Sequence, residues 1–208
     1  MAVNIRPEIQ DIENTIISTR RDIHQYPELA FEEHRTAKLV ADRLESLGID
    51  VQSGVGRTGV VGTLVGKKEG RTIALRADMD ALPIQETGDV PYKSQNEGVM
   101  HACGHDGHTA MLLGAAKILS KNREKLNGTV KFLFQPAEEG QGGARYMIKD
   151  GALEGVDEVY GIHLWNYQEF GTLGVKPGPI MAAADLFEIT IHGKGGHGAA
   201  PQGTKDAI

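Results

Sequence analysis

One eight-residue segment, His101–His108, constrains this chain more than any other feature of its sequence. It contains three histidines, the only cysteine of the chain and an aspartate, with glycines at positions 104 and 107. Thiolate, imidazole and carboxylate groups together are the usual ligands of zinc and other divalent transition metals. Burying so many ionisable groups in one place costs free energy unless they are paired or bind an ion. The segment therefore predicts a metal site, with a polar loop that caps the following helix as the alternative.

The composition narrows the class of protein. The 208 residues carry a formal net charge of -6 and no cluster of Lys or Arg, which argues against a nucleic-acid or anionic-membrane surface. No apolar run is long enough to span a bilayer, and the first residues lack the apolar core of a signal peptide. A single cysteine excludes an internal disulfide and suits a reducing compartment. We therefore expect a cytoplasmic protein that acts on a small molecule, without nucleic-acid or membrane partners.

Helical and strand patterns alternate along the chain. Apolar residues at helical spacing, or nearly continuous apolar residues, predict helices over residues 7–26, 37–47 and 109–119. Short runs rich in β-branched and aromatic residues predict strands over residues 60–65, 72–76 and 130–135. This alternation predicts an α/β sandwich. It breaks near residues 177–179, and we place a domain boundary between residues 180 and 185.

The segment Gly54–Gly59 matches the glycine fingerprint of dinucleotide-binding proteins, and Asp78 follows at about the right distance. That fingerprint requires a strand before it and a helix after it. Residues 60–66 are rich in glycine and β-branched side chains, which disfavour a helix. We therefore interpret the segment as a turn between strands, and a nicotinamide-dependent oxidoreductase is the weaker alternative.

Acidic side chains follow two of the predicted strands. Asp78 and Asp80 end one of them, and Glu138 and Glu139 come soon after another. Open α/β proteins place their sites at the carboxyl ends of strands. Two adjacent glutamates face different ways, so one can bind a metal while the other acts as a base. The alternative for Glu138 and Glu139 is a solvated acidic turn. A single histidine within a strand, such as His163, is by itself more often structural than a metal ligand.

Together these motifs resemble the metal-dependent amidohydrolases of the aminoacylase and carboxypeptidase superfamily, especially the branch of hippurate hydrolases, N-acyl-amino-acid amidohydrolases and auxin-conjugate hydrolases. The blocks that carry the resemblance are residues 24–33, 76–83, 101–108, 135–140, 161–163 and 193–201. The resemblance implies a zinc-peptidase-like α/β/α sandwich. Its catalytic domain would begin in residues 1–183, and residues 184–208 would start a small inserted α+β lid or dimerisation domain.

The resemblance also implies roles for individual residues. The residues that match metal ligands are Cys103, His105, Glu139 and His163. Glu138 matches the general base, and Asp80 matches the carboxylate that orients a ligand. His197 matches a lid-domain histidine that, in dimers of the family, reaches the partner's site and steadies the oxyanion. The residues whose roles stay open are Asp78, His101, Asp106 and His108.

The implied reaction is hydrolysis of the amide bond of N-acyl amino acids, such as hippurate-like or N-acetyl substrates, by water activated between two divalent metals. Manganese, zinc, nickel and cobalt all accept this ligand set. A homodimer or homotetramer through the lid domain is also implied. Family members continue beyond the position of Ile208 and supply a further metal-binding histidine. The alternative is therefore a catalytically incomplete metal-binding fragment.

Overall fold

The structure is a computed structural model that describes residues 6–208. Within this range the chain forms two compact units, of which the first ends at Gln168 and the second covers Glu169–Ile208. The expected division into a catalytic part, residues 1–183, and the start of a lid domain, residues 184–208, stays a prediction.

The described residues form five α-helices and five β-strands. The helices are α1 Pro7–Gln10, α2 Glu13–Gln25, α3 His34–Ser46, α4 His105–Lys121 and α5 Gly143–Lys149. The strands are β1 Asp50–Val55, β2 Gly59–Val65, β3 Lys68–Asp78, β4 Asn127–Gln135 and β5 Glu158–Gly161. Short 3₁₀-helices cover Arg123–Lys125 and Pro201–Gly203. No helix within residues 6–208 combines the length and the apolar character that crossing a membrane requires.

Two helices differ from the prediction. The helix expected over residues 7–26 is interrupted after Gln10, and Ile12, at the interruption, is buried in the core. The helix expected over residues 109–119 begins earlier, at His105, so half of the metal-type segment forms the first turn of α4. The side chains of that turn are therefore held by a helix rather than by a loop.

The strands form a five-stranded mixed sheet in the described part of the chain, in the order β1-β2-β4-β3-β5. Strand β2 is antiparallel to β1 and β4, whereas β3 is parallel to both β4 and β5. Asp78 lies opposite Gln135, and Arg76 lies opposite Gly161. Because three parallel strands end at one edge, the segments that follow them meet there. These segments carry Asp80, Glu138, Glu139 and His163.

Helices cover both faces of the sheet. On one face Phe132 and Phe134 of β4 pack with buried residues of α3 and α4. On the other face Leu133 packs with Met147 of α5. Neighbouring residues of a strand point to opposite faces, so one strand contributes to both cores. The expected α/β/α sandwich is confirmed.

The glycine-rich segment Gly54–Gly59 is a turn between strands, as interpreted from the sequence. It joins β1 to β2, and Val55 pairs with Gly59 in the resulting antiparallel hairpin. The residues that follow form a strand rather than a helix. This segment therefore lacks the strand–turn–helix context in which glycines bind a dinucleotide.

Candidate metal centre

His105 lies at the centre of the candidate site, at the beginning of α4. The preceding Gly104 has φ 91°, a left-handed conformation that glycine adopts without strain. The His105 side chain is buried, and its Nδ1 lies 2.8 Å from the backbone oxygen of Asp80. Since a carbonyl oxygen only accepts, the proton of the neutral imidazole lies on Nδ1 and the free lone pair on Nε2. Burial lowers the pKa of His105, but Asp80, Asp78 and Glu139 raise it above its ordinary value, so a metal ion would compete with a proton for Nε2. That Nε2 is buried and has no hydrogen-bond partner among the described residues.

The free Nε2 of His105 suits a metal ion. A buried acceptor without a partner costs about 1–3 kcal/mol, which an ion would offset. Glu139 Oε1 lies 3.9 Å from this nitrogen, and Glu138 Oε2 lies 4.0 Å from it. Two ligands of one tetrahedral ion, at bonds of about 2.1 Å, lie roughly 3.4 Å apart. The separations are therefore close to those of atoms that share an ion.

Cys103 and His163 lie on another side of His105. Cys103 Sγ is 3.5 Å from His163 Nε2, and the rings of His105 and His163 are 6.3 Å apart. The three residues form one group in which ligand atoms lie within 4.8 Å of one another. His105, Glu138 and Glu139 form a second such group. The fold thus brings the four predicted ligands together, with His105 common to both groups.

The charges of the site favour a cation. Burial, together with the nearby carboxylates of Glu139, Asp78 and Glu138, raises the pKa of the Cys103 thiol to about 12. Burial also raises the pKa of Glu138, with additional contributions from the charges of Glu139 and Asp78. Without an ion, the thiol therefore stays protonated at neutral pH. A divalent ion would neutralise the carboxylates and convert the thiol into a thiolate ligand.

Asp80 holds the other parts of the site in place. Burial would raise the pKa of Asp80, but hydrogen bonds from His105 and from the backbone N–H groups of Glu138 and Glu139 lower it below its ordinary value. The Glu139 N–H donates to Asp80 Oδ2 over 2.9 Å. The Asp80 backbone oxygen and Oδ1 lie 2.8 and 3.3 Å from His105 Nδ1. Its predicted role, orienting a ligand, agrees with these contacts but stays a prediction until a metal is bound.

A buried glutamate, Glu33, supports the loop after β4. Its Oε1 accepts a hydrogen bond of 2.9 Å from the Ala137 N–H, and its Oε2 accepts one from the Thr58 hydroxyl. Ala137 has φ 49°, which is uncommon for a residue other than glycine. Glu33 therefore stabilises the turn that delivers Glu138 and Glu139. Sequence reasoning missed this role, because nothing near Glu33 indicates a partner 104 positions away.

A second buried polar cluster lies at the beginning of α4. Asp106 Oδ2 accepts hydrogen bonds from Arg20 Nε and His24 Nδ1, at 2.7 and 2.8 Å. Glu86 Oε1 lies 3.3 Å from His24 Nε2. His101 is also buried, and burial lowers its pKa to about 4, so its imidazole is neutral at pH 7. Asp106 thus fastens α2 to the turn that carries His105.

Two more residues with open roles form a pair. Asp78 and His108 are buried and joined by a hydrogen bond of 2.6 Å, and the His108 ring lies 4.6 Å from that of His163.

His197 belongs to the second compact unit, where its Nδ1 accepts a hydrogen bond from the Ala199 N–H. Its expected role at a partner's site stays a prediction.

The chain is similar to a carboxypeptidase and an amidohydrolase along most of its length. Thermostable carboxypeptidase 2 of Saccharolobus solfataricus is 53% identical over 207 residues, which cover 98% of this chain and 53% of the relative. The N-acyl-L-amino acid amidohydrolase of Geobacillus stearothermophilus is 51% identical over 205 residues, which cover 98% and 55%. The chain therefore spans about half the length of the curated relatives it matches.

A solved structure supports the same relationship. The Bacillus subtilis YXEP protein, described as a dinuclear metal binding peptidase from the M20 family, superposes with a TM-score of 0.78 and 44% identity. The match covers 82% of this chain and 48% of that one. A family model described as peptidase family M20/M25/M40 matches residues 74–207, more than half of the chain. The chain belongs to this peptidase family.

Proposed function

We propose that the complete protein hydrolyses the amide bond of N-acyl amino acids, with two divalent metal ions and a glutamate base. The observation that carries the proposal is the convergence of the Cys103 thiol, the His163 imidazole and the Glu139 carboxylate on His105, whose buried Nε2 has no hydrogen-bond partner among the described residues. Similarity to an N-acyl-L-amino acid amidohydrolase over 98% of the chain supports this substrate class.

The residues proposed to hold the metals are Cys103, His105, Glu139 and His163. Their sulfur, nitrogen and oxygen atoms suit zinc, manganese, nickel or cobalt. When bound, such ions lower the pKa of water and polarise an amide carbonyl. His105 is presented by the backbone oxygen of Asp80, which fixes its tautomer, and Glu139 is presented by the Asp80 carboxylate.

Glu138 is proposed as the general base. Its side chain is 42% exposed, whereas that of Glu139 is 27% exposed, so Glu138 is the more accessible to water and substrate. Burial and the charge of Glu139 raise its pKa, which brings the carboxylate closer to the pKa of an effective base at neutral pH. Glu138 would take a proton from the attacking water and return it to the nitrogen of the leaving amine.

The remaining parts of the proposal concern the whole protein. We propose a homodimer or homotetramer formed through the lid domain, with His197 acting at the partner's site. A cytoplasmic location fits a candidate ligand that must remain a free thiol, since reducing compartments keep cysteines reduced. The alternative is that the 208-residue chain binds metal but hydrolyses poorly, because it spans only about half the length of its relatives.

The test compares Glu138→Gln with wild type in the full-length enzyme. N-acetyl and N-benzoyl amino acids would be assayed with each of the four metals, beside unblocked dipeptides. We expect Glu138→Gln to retain metal and to lose about 10²- to 10⁴-fold in kcat. Glu45→Gln, which removes an exposed carboxylate from α3, is the matched control. A near-normal rate for Glu138→Gln, or hydrolysis of dipeptides alone, would contradict the proposal. Strong hydrolysis by the 208-residue chain would exclude the alternative.

A further inference from the structure

Both ring nitrogens of His108 are already engaged. His108 is buried, and its Nδ1 lies 2.6 Å from Asp78 Oδ1. Its Nε2 accepts a hydrogen bond of 2.8 Å from the backbone N–H of Leu164. A nitrogen that accepts from an N–H carries no proton, so the ring proton lies on Nδ1 and is donated to Asp78. His108 is therefore a neutral imidazole in one defined tautomer, with no lone pair left for a metal.

Both carboxylate oxygens of Asp78 are also hydrogen-bonded. Arg76 donates to Asp78 Oδ2 over 2.7 Å, and the Arg76 Nε donates to Gln135 Oε1 over 2.9 Å. Burial alone would raise the pKa of Asp78, but the hydrogen bond from His108 and the charges of His105 and Arg76 bring it well below its usual range. The carboxylate is thus ionised and presents one oxygen to Arg76 and the other to His108.

The backbone of Leu164 connects the hydrogen-bonded pair of Asp78 and His108 to the candidate metal site. It follows His163, beyond the end of β5, a strand of four residues that pairs with β3. The hydrogen bond from the Leu164 N–H to His108 Nε2 therefore tethers a segment that is no longer paired with the sheet. The Leu164 side chain also packs against Gly107, where an added Cβ would lie 2.5 Å from Leu164 Cδ1. Both contacts hold the backbone beside His163 against the beginning of α4.

We propose that Asp78 and His108 are positioning residues for His163. The carboxylate of Asp78 fixes the tautomer of His108, and the free Nε2 of His108 holds the Leu164 N–H. The tethered backbone then keeps His163 Nε2 beside Cys103 Sγ, at the observed 3.5 Å. This inference rests on the proposed function, because it takes His163 to be a metal ligand.

The substitution Asp78→Asn tests the tautomer directly. Arg76 only donates, so the single amide oxygen of asparagine would be taken by Arg76 and its NH₂ group would face His108. His108 Nδ1 would then have to accept, and its proton would move to Nε2. That places an N–H against the Leu164 N–H and breaks the tether. A carboxylate-to-amide change that reverses a histidine tautomer is known from the serine protease triad.

The experiment uses the full-length enzyme and three measurements. Nitrogen NMR of the imidazoles reports the His108 tautomer, and hydrogen exchange reports protection of the Leu164 amide. Cobalt titration, followed by the thiolate-to-cobalt charge-transfer band, reports binding at Cys103. We expect Asp78→Asn to give the Nε2–H tautomer, faster exchange at Leu164 and about 10- to 100-fold weaker cobalt binding. We expect His108→Ala to weaken exchange protection and cobalt binding similarly.

The control is Thr109→Val, which removes a buried hydrogen bond of 2.8 Å from the Thr109 hydroxyl to the backbone oxygen of Asp78. It should reduce stability while leaving the tautomer, the Leu164 amide and cobalt affinity unchanged. Unchanged cobalt affinity in both Asp78→Asn and His108→Ala would overturn the inference. Equal weakening by Thr109→Val would also overturn it, because the effect would then be merely structural. Failure of the wild-type full-length enzyme to bind cobalt through Cys103 would instead refute the proposed function.

Discussion

Replacing Glu33 by alanine and by glutamine measures how strongly the loop of Glu138 and Glu139 depends on a buried carboxylate. Glu33 is fully buried and accepts from the Ala137 N–H and the Thr58 hydroxyl. Alanine leaves both donors without a partner in the core. At about 1–3 kcal/mol for each buried group, Glu33→Ala should lose roughly 2–6 kcal/mol of unfolding free energy. This is a large part of the 5–15 kcal/mol typical of a domain.

Glutamine should be tolerated far better. Its amide oxygen can accept from the Ala137 N–H, and its NH₂ group can donate to the Thr58 oxygen, so both contacts survive. Glutamine also has no charge to bury. We expect Glu33→Gln to lie within about 1 kcal/mol of wild type at pH 7, since neither donor is left unpaired.

The difference in stability between wild type and Glu33→Gln should depend on pH with a defined sign. Burial raises the pKa of folded Glu33 above its ordinary value, despite hydrogen bonds from Thr58 and Ala137 that lower it. The folded state therefore binds the proton more tightly than the unfolded state. The resulting stabilisation is full below the unfolded pKa and is lost as pH rises through the folded pKa. Wild type should accordingly lose stability relative to Glu33→Gln over that range.

Urea unfolding of the metal-free chain, followed by circular dichroism between pH 4 and pH 8, gives the required free energies. Cobalt titration of the same variants tests the consequence for the site, where only Glu33→Ala should bind more weakly. The reasoning would be refuted if glutamine destabilised the chain as much as alanine. It would also fail if wild type gained stability over Glu33→Gln with rising pH.

Two further predictions concern the thiol and a close backbone approach. Because burial and neighbouring carboxylates raise the pKa of Cys103 to about 12, cobalt binding should release the thiol proton, and cobalt affinity should rise about tenfold per pH unit near neutrality. Calorimetry in buffers of different ionisation enthalpy measures this proton release, and its absence would contradict thiolate ligation. Gly143→Ala would put a Cβ 1.8 Å from the Pro136 oxygen and should lower Tm, whereas Gly198→Ala, with no atom within 4 Å, should not.

Much of the candidate metal centre could be predicted from the sequence, because its residues adjoin helices and strands with clear patterns. Glu139 comes soon after a strand whose last four residues are buried, and His105 begins a helix that is nearly continuously apolar from residue 109 onward. Their convergence at one sheet edge follows from parallel pairing of β3 and β4. The candidate metal ligands could therefore be identified from the sequence alone.

The supporting contacts could not be predicted in the same way. Glu33, Asp78 and His108 act through partners that depend on side-chain direction and on backbone groups, which a sequence pattern does not encode. The tether from His108 ends on the backbone of Leu164, where any residue except proline would donate equally well. The interruption of the first helix at Ile12 likewise reflects tertiary burial rather than local propensity.

The raised pKa values of Cys103 and Glu138 have a consequence for how the protein is maintained. Both pKa values are raised first by burial and then by the negative charges of neighbouring carboxylates. An ion that binds the folded state alone relieves the repulsion among these charges and shifts the folding equilibrium by mass action. Each tenfold rise in free metal above the dissociation constant then adds about 1.4 kcal/mol of stability. The concentration of free metal would thus help to set the fraction of the chain that is folded.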